Sequence, residues 1–110
     1  MDIQIKRGIL EICVLKALEE KDSYGYKIIK DIHPYMDISE STLYPILRRL
    51  EAGNCLEVYS AEHNGRLRKY YHITQEGKQR IQVFLDEWKE VMEVYQFIKN
   101  GGKETDYDQK

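Results

Sequence analysis

Asn64-Gly65 is the pair of residues that most restricts what this chain can become. Both residue types tolerate positive φ, which a two-residue type I′ turn requires, and such a turn matches the twist of an antiparallel strand pair. The flanking runs read as strands: Leu56 to Glu62 leads in and Arg66 to Ile73 leads out. A two-residue turn sets the register, so Leu56 opposes Ile73 and Val58 opposes Tyr71 on the inner face. Arg66, Arg68, Tyr70 and His72 then alternate outward.

Just before the hairpin, residues 39–53 read SESTLYPILRRLEAG. At ~3.6 residues per turn, Leu43, Ile46, Leu47 and Leu50 share one face, the pattern of a helix seated on a core. The other face carries Ser41, Thr42, Tyr44, Arg48 and Arg49. Hydrogen-bonding groups can meet base edges there and cations can grip phosphate, the two requirements of an element entering the DNA major groove. A basic helix face alone is more often plain solvated surface, so its neighbours decide. A helix start at Ser41 places Pro45 where no intrahelical N–H bond is needed, whereas a start at Ser39 forfeits one bond and tilts the first turn. Gly53 suits the left-handed position that ends a helix.

Upstream, Ile5 to Leu18 reads as a helix apolar around most of its circumference, which predicts burial on nearly all sides, partly against a second subunit. Asp22 or Ser23 is the expected cap of a short helix from Tyr24 to Ile32, stopped at His33-Pro34. Downstream, Thr74 caps a long helix of roughly 24 residues, about 36 Å, with an apolar stripe through Ile81, Phe84, Trp88, Met92 and Tyr95. That is longer than one small domain covers, and Val83, Val94 and Phe97 add a second strip for a partner chain. The predicted fold is therefore mostly α with a small β-hairpin: a winged helix-turn-helix plus a long C-terminal dimerisation helix. The expected divisions are a winged-helix DNA-binding domain at 1–73, the dimerisation helix at 74–99 and a disordered tail at 100–110.

Composition excludes several classes. At 110 residues the chain has room for one domain and its core. Cys13 and Cys55 form no CxxC pair, and His33, His63 and His72 lack metal-ligand spacing, so no metal or cofactor is expected. A glycine-rich phosphate loop and a nucleophile-base pattern are both missing, which argues against an enzyme. No signal peptide and no apolar run of ~20 residues is present, giving an expected cytoplasmic location without membrane contact. The net charge of −2 counts mildly against nucleic acid, since DNA affinity comes largely from neutralising phosphates. Its distribution counters that objection. Residues 39–80 hold seven Lys/Arg against five Asp/Glu, while residues 81–110 hold four against seven.

The stretch Thr42-Leu43-Tyr44-Pro45, followed by Leu47, Arg49-Leu50-Glu51 and Gly53, resembles the signature of PadR-type transcriptional regulators. So does Gly65-Arg66 through Arg68-Lys69-Tyr70-Tyr71 to Thr74. Gly8 to Leu15 and Tyr24-Gly25-Tyr26-Lys27-Ile28 are weaker matches, and the resemblance spans residues 6–98. Leu67, where proline is common, and His72, where arginine is common, depart from it. A single C-terminal helix is similar to the short subfamily.

The resemblance implies a homodimeric repressor on a palindromic operator in double-stranded DNA, and the apolar faces of the first and fourth helices are where the two subunits are expected to pair. Geometry independently expects two third helices roughly 34 Å apart, in successive major grooves. Ser41, Thr42 and Tyr44 are expected near bases and Arg48 and Arg49 on base or phosphate. Asn64, Gly65, Arg66, Arg68 and Lys69 are expected around the wing, with Lys6 as a further phosphate contact. Trp88, flanked by Val91 and Met92, would approach its symmetry mate and sandwich a small planar aromatic ligand, or merely fill the interface. The alternative function is a winged-helix protein-interaction module that does not touch DNA.

Overall fold

The computed structural model describes residues 1–101. Its elements run α1 (Ile3–Ala17), α2 (Gly25–Ile32), α3 (Glu40–Ala52), β1 (Leu56–His63), β2 (Arg66–Ile73) and α4 (Gln75–Asn100). The predicted order of three helices, hairpin and long helix is the observed one.

Asp2 starts α1 two residues earlier than the apolar pattern suggests. Its carboxylate accepts from the backbone N–H groups of Gln4 at 3.1 Å and Ile5 at 3.4 Å, satisfying donors that have no intrahelical partner. Only Leu10, Val14 and Leu15 of α1 are fully buried. Within the single chain Ile9, Ile12, Cys13 and Ala17 are half-buried and Ile3 and Ile5 exposed, so its own core covers only part of the helix.

The cap expected for α2 also differs. Tyr24 precedes the helix without a side-chain cap bond, because Asp22 and Ser23 serve the hairpin instead. Ser23 and Tyr71 exchange both backbone bonds, at 3.2 and 2.8 Å, so the α1–α2 link adds a one-residue bridge to the free edge of β2. The hairpin register is as expected, with Leu56 opposite Ile73 and Val58 opposite Tyr71. Asn64 at φ 54° and Gly65 at φ 80° make the turn. At the end of α3 the left-handed residue is Asn54 at φ 65°, not Gly53 at φ −87°.

Leu10, Val14 and Leu15 of α1 meet Ile28 and Ile32 of α2, the Leu43/Ile46/Leu47/Leu50 seam of α3, and Leu56, Tyr71 and Ile73 of the hairpin in one core. Each such side chain contributes roughly 1.5–3 kcal/mol on burial. Thr74 caps α4 by accepting from the Gly77 N–H at 3.1 Å. Ile81 is the last α4 residue fully buried. The remainder projects, so the described molecule measures 66 × 26 × 21 Å. Asn100 is still helical and Gly101 ends α4 at φ 64°, so the helix runs one residue past the expected end at residue 99. The rest of the expected tail, residues 102–110, lies outside the described residues.

Candidate nucleic-acid interface

Burial divides α3 as its spacing predicts. Leu43, Ile46, Leu47 and Leu50 are buried, and Ser41, Thr42, Tyr44, Arg48 and Arg49 are exposed. The helix begins at Ser39, whose carbonyl accepts from Leu43 N–H at 2.9 Å. Pro45 therefore lies beyond the first turn and supplies no N–H to the Ser41 carbonyl. The Ser39 hydroxyl sits 3.0 Å from that of Ser41 and 3.3 Å from that of Thr42. These hydroxyls cluster at the start of α3 and do not cap its backbone.

The five exposed residues are not equivalent. Tyr44 is turned onto α2: a Cβ at Gly25 would lie 3.0 Å from Tyr44 Cζ, so the ring end occupies the space that the glycine leaves. Arg49 is turned onto α1, with Nη2 at 3.0 Å and Nε at 3.1 Å from Glu11 Oε2. Arg48 is exposed and enters none of the ion pairs among the described residues.

Lys6 lies beside the first turn of α3. A cleft of about 330 Å³ between α1 and α3 is bordered by Lys6, Arg7, Ser41, Thr42, Pro45 and Arg49, among others. Arg7 was not singled out from sequence, and its adjacency to Lys6 was the one available signal.

On the hairpin, Asn64, Gly65, Arg66 and Lys69 are exposed at or near the turn. Arg68 does not project freely outward; its guanidinium stacks 3.8 Å from the centroid of the Tyr24 ring, a cation–π contact that keeps the charge but orients it. Tyr70 is likewise half-buried, stacked on Tyr59 with centroids 5.7 Å apart and edge-on to Tyr24. Asp22 closes the cluster. Its Oδ2 accepts from the Tyr59 hydroxyl at 2.6 Å and its Oδ1 lies 2.8 Å from His72 Nδ1. The Tyr59 hydroxyl, aided by His72, holds the Asp22 carboxyl below the usual carboxylate range, and the same bond raises the Tyr59 phenol. Sequence reading missed Tyr59, Glu11 and Arg80 and gave Asp22 a cap's role instead, because their partners lie 37 to 69 residues away. No periodicity joins such positions.

Trp88 stacks on Phe84, with centroids 5.6 Å apart and planes 14° apart. A cleft of about 320 Å³ between α1 and α4 reaches both rings, while Val91 and Met92 are exposed a turn further along. Burial pushes the Cys13 thiol up from its ordinary value. No group of three metal-ligating side chains occurs among the described residues. Among the described residues no helix is long and apolar enough to cross a membrane.

The arrangement has relatives. The model of the PadR-like transcriptional regulator family matches residues 14–83. An uncharacterised protein of Lysinibacillus sphaericus is 37% identical over 102 residues, which cover 88% of this chain and 94% of that protein. The solved structure of a transcriptional regulator from Clostridium thermocellum superposes with a TM-score of 0.77 at 34% identity, covering 84% of this chain and 94% of the other. That of a PadR family transcription regulator from Clostridium difficile gives 0.72 at 35% identity, covering 80% and 96%. The hairpin after α3, the exposed hydroxyl and arginine face and the matched span agree, and this chain belongs to the PadR-like family of transcriptional regulators, DNA-binding proteins and not enzymes.

Proposed function

We propose that the chain is a cytoplasmic, homodimeric repressor that sets α3 of each subunit into a major groove of a palindromic operator. The observation that carries this reading is the two-sided α3. Its leucine seam is sealed in the core while Ser41, Thr42 and Arg48 stay exposed. Lys6 and the wing residues Asn64, Gly65, Arg66 and Lys69 supply backbone contacts, with Arg68 oriented by Tyr24. The homodimer forms through α1 and α4, because past Ile81 the long helix exposes Val91, Val94, Phe97 and Ile98, an apolar surface that a partner must cover.

Binding to the promoter segment upstream of its own coding sequence, measured at several salt concentrations, tests this reading. Log affinity should fall with log salt at about 0.9 per phosphate contact, and Arg48→Ala should cost ~1–3 kcal/mol if it reads a base. Salt-insensitive or absent binding would replace the repressor with a protein-interaction module.

A planar aromatic ligand between the two Trp88 side chains would relieve repression by shifting the spacing of the α3 helices. The stacked Phe84–Trp88 pair supports this, with Val91 and Met92 as walls. Trp88 is the single tryptophan, so titration with planar dyes reads directly in its fluorescence. Unchanged emission together with unchanged DNA affinity would sink the idea.

A further inference from the structure

Glu11 of α1 carries one carboxylate that arginines from two other helices share. Its Oε2 accepts from Arg49 Nε at 3.1 Å and Nη2 at 3.0 Å, and its Oε1 accepts from Arg80 Nη2 at 2.6 Å. The Glu11 side chain is only 12% exposed, against 46% for Arg49 and 45% for Arg80. Charge-assisted bonds to both oxygens of a shielded carboxylate fix its position. Arg80 Nη1 also reaches Cys55 Sγ at 3.8 Å, in the link that follows α3. Arg49 in turn borders the cleft that contains Lys6, Arg7, Ser41 and Thr42, so the pair forms beside groups assigned to the DNA face.

We propose that Glu11 is a positioning residue that limits the strength of DNA binding: it neutralises Arg49 and holds that guanidinium against α1, withholding one cation from the phosphate backbone. The inference rests on the DNA-binding reading above. Sequence-independent affinity is set by the number of phosphates neutralised, so tying down a cation at the edge of the recognition helix lowers binding to any duplex. Hydroxyl and Arg48 contacts to bases are untouched. Without the Glu11 charge, two guanidinium groups would face each other with no counter-ion between them. Arg49, on a long flexible stem, would then turn into the cleft, where a DNA phosphate offers the nearest negative charge.

The test uses the full chain and two duplexes, the promoter segment upstream of its coding sequence and a fixed scrambled duplex of equal length. E11Q keeps the shape of the side chain and removes its charge. It should steepen the slope of log affinity against log salt by about 0.9 per bound subunit on both duplexes, and raise both affinities by a similar factor so that the ratio between them stays as it is. E11Q/R49Q should return to the wild-type slope, and R49Q alone, in which Glu11 keeps Arg80, should leave that slope as it is. A natively folded E11Q with a slope equal to or shallower than wild type overturns the proposal. Should E11Q fail to fold, R49Q decides: a slope shallower by about 0.9 shows Arg49 already on phosphate and overturns it, whereas an unchanged slope supports it. If wild type binds neither duplex at any salt, the DNA-binding reading falls first, a result distinct from any difference among variants.

Discussion

The end of the Tyr44 ring fills the place that a side chain on Gly25 would need; a Cβ there would sit 3.0 Å from Tyr44 Cζ. The first residue of α2 and the outer face of α3 are thus seated on each other, which sets how far α3 stands out from the helix before it. Gly25→Ala should push the ring away at a cost of ~1–3 kcal/mol, read as a lower urea midpoint. Because α3 shifts with Tyr44, promoter affinity should fall as well. Full stability in Gly25→Ala would show that the ring yields without cost.

Asp22 fastens the hairpin to the α1–α2 link, and its carboxyl is depressed chiefly by the Tyr59 hydroxyl, with His72 adding to it against the opposing effect of burial. A carboxyl depressed in the folded state stabilises above its ordinary titration range and loses that contribution as pH falls through the folded value. The stability gap between wild type and Asp22→Asn should therefore be full at neutral pH and close below about pH 4. Urea midpoints across that range measure it, and a gap that stays constant into acid would refute the assignment.

Leu50 is fully buried in the last turn of α3, where it shares the core with Leu43 and Leu47. Leu50→Ala should cost about 2–5 kcal/mol, the transfer loss plus the cavity left behind. Thermal unfolding followed by circular dichroism reads this directly. A loss under about 1 kcal/mol would mean that the core collapses around the gap.

Phe97 and Val94 are exposed near the end of α4, where the proposed partner subunit must cover them. Phe97→Glu should halve the mass seen by sedimentation equilibrium. It should also weaken binding to a two-site duplex by on the order of 100-fold, because the second recognition helix no longer binds intramolecularly. A wild-type chain that sediments as a monomer would overturn the dimer.

The hairpin and its register were legible from residues 56–73, because side-chain alternation and an Asn-Gly turn are local properties of the backbone. The buried seam of α3 was legible for the same reason: the helical repeat places Leu43, Ile46, Leu47 and Leu50 on one face whatever they meet. The cap at Asp2 and the left-handed Asn54 were missed by a residue or two. Several residue types suit such positions, and neighbouring structure selects among them.

What the sequence determined by itself is therefore the set of elements and which side of each turns inward, since those depend on spacings of two to four residues. Tertiary structure alone decided what Arg48, Arg49 and Asp22 do. Arg48 and Arg49 are adjacent and alike in sequence, yet Arg48 is exposed and in none of the ion pairs among the described residues, whereas Arg49 is bound to Glu11. Asp22 had the chemistry of a helix cap and became the fastening of a hairpin. Charges and hydroxyls act through partners within about 3 Å, and those partners become neighbours only when segments 37 to 69 residues apart pack together.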